Sequence, residues 1–220
     1  MNQTKIDFAD FSWNPFVGCS NSCEWCYARK FAKRIGAIIG CEKCSRFEFH
    51  YHWDRLVDPH RLRKPSIIFL GSMCDLFCKE AMSFMVPCDR DPDGQISAWV
   101  SPDRPENWPA NAFVSPHEAV RDVLRQVPQH QFVVLTKSPQ NIPQGWNDDI
   151  PNLWVGVSVT RDHEQPDFKR AMMLLDRIQE RRILCIEPML GPPVVRYPLA
   201  KFSWIIIGGL TGAKYPHVWG

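Results

Sequence analysis

The 220-residue sequence lacks three features that would each point to a class of protein. No apolar run approaches the roughly 20 residues that a membrane-spanning helix needs, and Met1 to Asp7 contain no apolar stretch of the kind that begins a secretory leader. The net charge is only +2, so charge alone does not predict binding to nucleic acid. These absences predict a soluble, cytoplasmic protein without a membrane partner. With 45% hydrophobic residues, the length suits a single domain over residues 1–220, with a loop-rich insertion at about 84–113.

Cysteine is abundant and clustered. In a reducing compartment, nine cysteines indicate metal sites rather than a disulfide framework. Cys19, Cys23 and Cys26 form the tightest group, with C-x3-C-x2-C spacing. Three thiolates this close can hold three irons of a cubane cluster and leave the fourth iron open. The alternatives are a structural zinc, which is usually closed by two pairs of ligands, and three inert buried thiols.

This cysteine pattern, with Trp25 just before the last cysteine, resembles the signature of the radical S-adenosylmethionine (SAM) superfamily. The resemblance implies that Cys19, Cys23 and Cys26 bind a [4Fe–4S] cluster, that SAM chelates the open iron, and that Trp25 lies near the adenine. It also implies reductive cleavage of SAM to a 5′-deoxyadenosyl radical, with an electron donor such as flavodoxin or ferredoxin.

Further blocks of sequence resemble, in order, those of an uncharacterised radical-SAM-like family found in phage and prokaryotic genomes. They are Trp13-Asn14-Pro15, Ser72 to Phe77, Leu135 to Pro139, Trp154 to Val159, Ile186-Glu187-Pro188 and Trp204 to Gly209. The association with phage makes a nucleic-acid base a candidate substrate. The chain departs from the family at Cys74, where Ser is usual, and at Leu210-Thr211, where Glu-Ser is usual; the family also extends further. A degenerate cluster-binding relative is therefore an alternative.

Short apolar runs alternate with helical patterns, which predicts an α/β fold with six strands in βα order. The predicted strands are 11–17, 66–70, 131–135, 153–159, 182–186 and 202–207, and the clearest helices are 24–35, 116–126 and 166–180. Runs that are apolar on both faces are typical of a parallel sheet covered by helices. The pattern allows a doubly wound sheet, whereas the resemblance implies a partial (βα)6 TIM-like barrel of radical SAM type.

Polar residues follow several of the predicted strands, at the end where parallel α/β folds bind ligands. A zwitterionic, ribose-bearing ligand such as SAM needs both hydrogen-bond acceptors and donors, which Asp75, Glu187 and Lys137 can supply. Ordinary loop capping or salt bridging is the alternative for each. The residues predicted to contact SAM are Trp25, Ser72, Asp75, Lys137, Ser158, Glu187, Gly208 and Gly209, with Thr136 and Thr160 as further strand-end candidates.

A second tight pair, Cys41 and Cys44, has C-x2-C spacing. Together with Cys78 and Cys88 it is compatible with a second metal, either a structural zinc or an auxiliary cluster. We expect His50 and His52 to be loop residues near the pair, unless a zinc recruits one of them. We expect Cys185 to lie in the core and Cys74 to face the ligand crevice as a candidate hydrogen-atom donor.

Basic residues cluster after the cysteine triplet and before the strand predicted at 66–70. They are Arg29, Lys30, Lys33, Arg34, Arg55, Arg61, Arg63 and Lys64. They are either solvated surface residues or contacts to nucleic acid. The rival to an enzyme is a non-catalytic, zinc-stabilised binding module, which would be colourless and would not bind SAM.

Overall fold

The computed structural model describes residues 1–100, 110–160, 165–190 and 197–209. The chain divides into two compact units, Met1–Phe132 and Val133–Gly220. Leu210 and Thr211, where the sequence departs from the family pattern, lie outside the described residues, as do positions 101–109 of the predicted insertion.

The first unit combines short strands with helices. Its strands are β1 (Asn2–Gln3), β2 (Phe11–Trp13), β3 (Phe16–Val17), β4 (His50–Tyr51), β5 (Ile67–Leu70), β6 (Val86–Arg90), β7 (Ile96–Trp99) and β8 (Ala112–Val114), and β9 (Gln131–Thr136) begins in it. Its helices are α1 (Tyr27–Ile39), α2 (Glu42–Arg46), α3 (Trp53–Leu56), α4 (Lys79–Ser83) and α5 (Pro116–Gln126), with a 3-10 turn at Asp58–Arg61.

Three strand groups organise this unit. Strand β2 lies between β1, to which it is antiparallel, and β5, to which it is parallel. Strands β3 and β4 form a separate antiparallel pair. Strand β6 is the middle of an antiparallel sheet with β7 and β8. The segment predicted as a loop-rich insertion therefore contains regular strands, which pair with one another.

The prediction of one strand over 11–17 is wrong, because the chain forms β2 and β3 in different sheets. Asn14 and Pro15 separate the two strands. Pro15 has no N–H to give to a ladder, and the side chain of Asn14 is bonded to Ser72 and to the backbone of Met73. Helix α1 also begins later than predicted, at Tyr27, because Cys26 is its N-cap.

The second unit has parallel strands and one long helix. It contains the end of β9, then β10 (Leu153–Val159), α6 (Gln165–Arg177), β11 (Arg182–Ile186) and β12 (Trp204–Ile207), with 3-10 turns at Pro139–Asn141 and Leu199–Lys201. Strand β11 pairs in parallel with both β10 and β12. The aliphatic side chains of β10 are buried, as are Ala171 and Leu174 of α6 and Ile178 directly after it. The predicted parallel pairing is confirmed for β10, β11 and β12.

Helix length and composition also bear on membranes. Across the described ranges, the structure contains no helix with both the length and the apolar character needed to cross a bilayer.

Candidate metal centres

The cysteine triplet lies on the loop between β3 and α1, and Gly18 begins that loop. Gly18 has φ +99°, and a Cβ added to it would lie 2.2 Å from the backbone carbonyl of Glu48. The N–H of Gly18 donates to the carbonyl of Met73 at 3.0 Å. Only glycine fits this close approach, so the start of the loop is held between two other segments of the unit.

The three cysteines of the loop are all half-buried free thiols. The sulfur of Cys19 accepts the backbone N–H of Asn21 at 3.3 Å, and the sulfur of Cys26 accepts that of Arg29 at 3.4 Å. N–H groups directed at sulfur stabilise negative charge on it. Soft, accessible sulfur ligands with such donors suit an iron–sulfur cluster, so the residues present fit the predicted group.

Trp25, the predicted neighbour of the adenine, has an unpaired polar group. Its indole Nε1 is buried, and no residue in the described part of the chain accepts a hydrogen bond from it. A buried donor without an acceptor costs about 1–3 kcal/mol. A ligand with an acceptor next to the cysteine loop would recover that cost.

Ser72 belongs to a hydrogen-bonded network that supports the loop. The amide of Asn14 donates to Ser72 Oγ at 2.9 Å, and its Oδ1 accepts the N–H of Met73 at 2.9 Å. The hydroxyl of Tyr27, the first residue of α1, donates to the carbonyl of Ser72 at 2.8 Å. The structure therefore places Ser72 beside the cysteine loop and uses it to fix the start of α1.

Asp75 also reaches the cysteine loop. One carboxylate oxygen accepts from the side-chain amide of Asn21 at 2.6 Å, and the other accepts the N–H of Phe77 at 3.0 Å. Asp75 is buried. This carboxylate therefore holds the middle of the loop, between Cys19 and Cys23.

Cys78 was expected near the second cysteine pair, but it lies beside Cys19. The two thiols share a hydrogen bond. This bond and burial raise the pKa of Cys19, and the same bond lowers the pKa of Cys78. Cys88 is buried in β6 and belongs to neither cysteine group. The structure therefore does not bring Cys78 and Cys88 to the second cysteine pair. The signal for Cys78 was its position just after the Ser72 to Phe77 block.

Two histidines, rather than Cys78 and Cys88, lie next to the second cysteine pair. The ligand atoms of Cys41, Cys44, His50 and His52 all lie within 4.8 Å of one another. His50 Nε2 is 3.4 Å from the sulfur of Cys41, 3.3 Å from that of Cys44 and 2.9 Å from His52 Nε2. His52 Nε2 is 3.2 Å from the sulfur of Cys44. This four-residue group, the Cys/His group, could hold a metal.

Local structure explains how the Cys/His group forms. Cys41 is the N-cap of α2, and its sulfur accepts the N–H of Cys44, one turn later, at 3.4 Å. His50 and His52 are two residues apart on an extended segment, so their side chains point to the same face. The sequence analysis allowed a zinc to recruit one of the two histidines but not both, although an H-x-H pattern in a short β-segment is the signal for the pair.

Electrostatics keep both imidazoles neutral. Burial lowers the pKa of His50 and lowers that of His52 to about 3. His50 Nδ1 lies 2.7 Å from the carbonyl of Glu48, which can only accept, so this nitrogen carries the proton and Nε2 has a free lone pair.

In the second unit, two of the residues predicted to contact SAM, Ser158 and Glu187, lie next to Cys185. This cysteine is buried in β11, as expected, and its sulfur lies 3.9 Å from a carboxylate oxygen of Glu187. Burial and the Glu187 charge raise the pKa of Cys185 to about 12, while Lys137 and Ser158 oppose the rise. Ser158 and Glu187 are thus neighbours of this thiol, and the charge of Lys137 acts on it.

The other strand-end candidates of this unit differ in their roles. A Cβ added to Gly208 would lie 2.9 Å from the carboxylate carbon of Glu187, whereas Gly209 has open space around it. Thr160 donates to the carboxylate of Asp167 through its N–H and its hydroxyl, at 2.8 and 3.1 Å. Thr160 therefore anchors the first turn of α6, and Thr136 is buried at the end of β9.

The chain matches the model of a family described as a protein of unknown function, DUF5131, over residues 3–87 and 111–218. The chain belongs to this family. The DUF5131 match includes the cysteine loop, the Cys/His group and the strand-end residues of the second unit, and it omits 88–110.

Solved structures similar to this DUF5131 chain include spore photoproduct lyase complexed with dinucleoside spore photoproduct. That similarity has a TM-score of 0.42 at 8% identity and covers 87% of this chain and 49% of the other. A mutant of that lyase with the same ligand gives a TM-score of 0.41 at 8% identity, covering 85% and 47%. The chain thus spans about half the length of these structures. No curated protein matches it significantly.

Proposed function

We propose that this chain is a radical SAM enzyme in which Cys19, Cys23 and Cys26 hold a [4Fe–4S] cluster. The observation that carries the proposal is the C-x3-C-x2-C loop at the start of α1, whose half-buried sulfurs accept backbone N–H groups. When bound, the cluster and SAM supply one-electron cleavage of the SAM C5′–S bond, giving methionine and a 5′-deoxyadenosyl radical that takes a hydrogen atom from the substrate. The partial (βα)6 barrel and a flavodoxin or ferredoxin electron donor belong to the same proposal.

The chain's own residues position the reacting groups. Asn14 and Asp75 fix the cysteine loop through the hydrogen bonds to Met73 and Asn21. In the second unit, Glu187 is proposed as an acceptor for an amino or hydroxyl group of SAM and Lys137 as a donor to a carboxylate, with Ser158 as a further polar contact. Trp25 is proposed to donate its unpaired N–H to the bound nucleoside.

A nucleic-acid base is the proposed class of substrate. The support is the outer surface of α1, where Arg29, Lys30, Lys33 and Arg34 are exposed together with Phe31. The guanidinium of Arg34 lies 4.5 Å from the centre of the Phe31 ring. Basic side chains among exposed aromatic rings provide both phosphate contacts and stacking surfaces.

A closed cluster is the second candidate, and the contact between Cys19 and Cys78 favours it. If Cys78 were a fourth ligand, no iron would be open to SAM, and the protein would carry electrons rather than generate a radical. The two candidates predict different behaviour of a Cys78→Ser variant: in the closed case the signal of the reduced cluster changes, because one iron loses its thiolate, and in the open case the signal stays the same.

The test is metal analysis and electron paramagnetic resonance of anaerobically purified protein. We expect about four irons and four sulfides per chain, a reduced-cluster signal that changes when SAM is added, and the same behaviour in Cys78→Ser. A signal that is indifferent to SAM in the unmodified protein and that changes in Cys78→Ser would establish the closed cluster instead. A colourless protein that contains no iron would support the zinc-stabilised module.

Gly208 offers a way to disturb the proposed SAM site without unfolding the protein. In Gly208→Ala the new Cβ overlaps the end of the flexible Glu187 side chain, so the carboxylate must move. We expect SAM affinity, measured by calorimetry on the cluster-loaded protein, to fall about tenfold, with the unfolding free energy changed by less than about 0.5 kcal/mol. Gly209→Ala is the matched control, because no residue in the described ranges lies within 4 Å of its Cβ. Equal affinities of the two variants would remove Glu187 from the SAM site.

A further inference from the structure

The Cys/His group is a second centre with a chemistry of its own. It lies in the first unit, and none of its four ligands belongs to the cysteine triplet. Cys44 and His50 are buried, while Cys41 and His52 are half-buried. We propose that Cys41, Cys44, His50 and His52 bind one structural zinc ion, which braces the segment on which the cysteine loop rests.

The spacing of the ligand atoms selects a single ion. Zinc bonds sulfur at about 2.3 Å and nitrogen at about 2.0–2.1 Å, so a tetrahedral site separates its ligand atoms by about 3.3–3.8 Å. The sulfur–nitrogen distances here are 3.2 to 3.4 Å, and the two nitrogens are 2.9 Å apart. Small side-chain rotations open this group to the zinc geometry. The two irons and bridging sulfides of an auxiliary cluster would require a much wider spread.

The donor chemistry agrees with zinc. Two thiolates and two imidazoles in a tetrahedron are typical of zinc, whereas hard cations prefer oxygen. The Nδ1 proton of His50 is given to the carbonyl of Glu48, which directs the Nε2 lone pair towards the other three ligands. A backbone carbonyl in this position is the usual partner of a zinc-bound histidine.

Four protein ligands close the coordination sphere, which is the arrangement of a structural rather than a catalytic zinc. The ion would join α2, which carries Cys44, to strand β4, which begins at His50. This connection matters for the first centre. Strand β4 pairs with β3, where Val17 faces His50, and the next residue, Gly18, is packed on the backbone of Glu48.

Apolar packing connects the two centres as well. Cys19 and Cys26 of the cysteine loop and Cys41 of the Cys/His group pack on the same buried cluster, which contains Cys44 and Phe47. Zinc would therefore fix the buried apolar residues on which the cysteine loop packs. The zinc site itself does not depend on the proposed radical chemistry, and it can be tested when the cluster is absent.

The experiment measures zinc in the full chain carrying Cys23→Ala, so that iron at the triplet does not contribute. We expect about one zinc per chain, and at least a tenfold loss when Cys44→Ser or His52→Ala is added. The matched controls are Cys88→Ser, a buried cysteine outside the group, and His60→Ala, an exposed histidine bonded to Gln126. Both controls should keep their zinc.

A measurement without ligand variants covers the case in which they do not fold. Zinc is removed from the Cys23→Ala protein by a chelator and replaced by Co²⁺, which should give the intense visible spectrum of a tetrahedral, thiolate-bound ion at one cobalt per chain. Zinc that disappears with Cys23→Ala but survives Cys44→Ser would overturn the proposal, because it would place zinc on the triplet. A zinc-free protein with a Cys41–Cys44 disulfide, or iron at this site, would overturn it too.

Discussion

Replacing Cys23 by alanine should remove nearly all cluster iron and sulfide while the protein stays folded. Among the described residues, Cys23 is the triplet member whose side chain contributes least to the packing of the loop. Its sulfur makes a long contact of 3.8 Å to the carbonyl of Asn21. Cys19 and Cys26, by contrast, pack against the buried apolar side chains around Val17. Losing one of three cluster ligands leaves two, which do not hold a cubane stably.

Cys88→Ala is the control for the Cys23→Ala experiment. Cys88 is fully buried in β6, so its replacement should lower the thermal stability without changing the iron content. Iron, sulfide and the unfolding temperature are measured for both variants. Full iron and sulfide in Cys23→Ala would rule out the triplet as the cluster site, whatever other metal the protein contains.

Gly18→Ala should be one of the most destabilising single changes in the chain. The alanine would need a left-handed backbone, and its Cβ would lie 2.2 Å from the Glu48 backbone, which cannot rotate out of the way. We expect a loss on the order of 3 kcal/mol or more, measured by denaturant unfolding. Because Cys19 follows directly, we also expect the iron content to fall.

The matched control separates backbone strain from steric overlap with the Glu48 backbone. Gly94 also has a left-handed backbone, with φ +80°, but a Cβ there meets nothing within 4 Å. Gly94→Ala should therefore cost only the backbone strain, roughly 1 kcal/mol. If Gly18→Ala is no less stable than Gly94→Ala, then Gly18 does not support the cysteine loop in the way the geometry indicates.

Much of the secondary structure could be predicted because its causes are local. The strand predicted at 153–159 has the same bounds in the structure, since a continuous apolar run favours a buried parallel strand wherever it is placed. Helix α5 begins where expected, because Ser115 and Glu118 form a capping box and Pro116 suits the first turn. The spacing of the cysteine triplet is equally local.

The candidate sites were only partly predictable. The positions after predicted strands singled out Asp75 as a contact to SAM, which stays a prediction, whereas its contact with Asn21 of the cysteine loop, 54 residues away in sequence, is found only in the tertiary structure. The split of the strand at Pro15 and the position of Cys78 beside Cys19 were missed. Both depend on which segments pair with one another, and neighbouring residues carry little information about that choice.

The sequence by itself determined the clustered cysteines, their local spacing, and several of the helices and strands, among them α5 and β10. Only the tertiary structure decided that His50 and His52 would join Cys41 and Cys44, and that Gly18 would rest on the backbone beside them. The physical reason is that spacing along the chain restricts side chains only within a turn or a strand. Bringing two such segments together depends on the burial of a shared apolar cluster, which forms only when the whole unit folds.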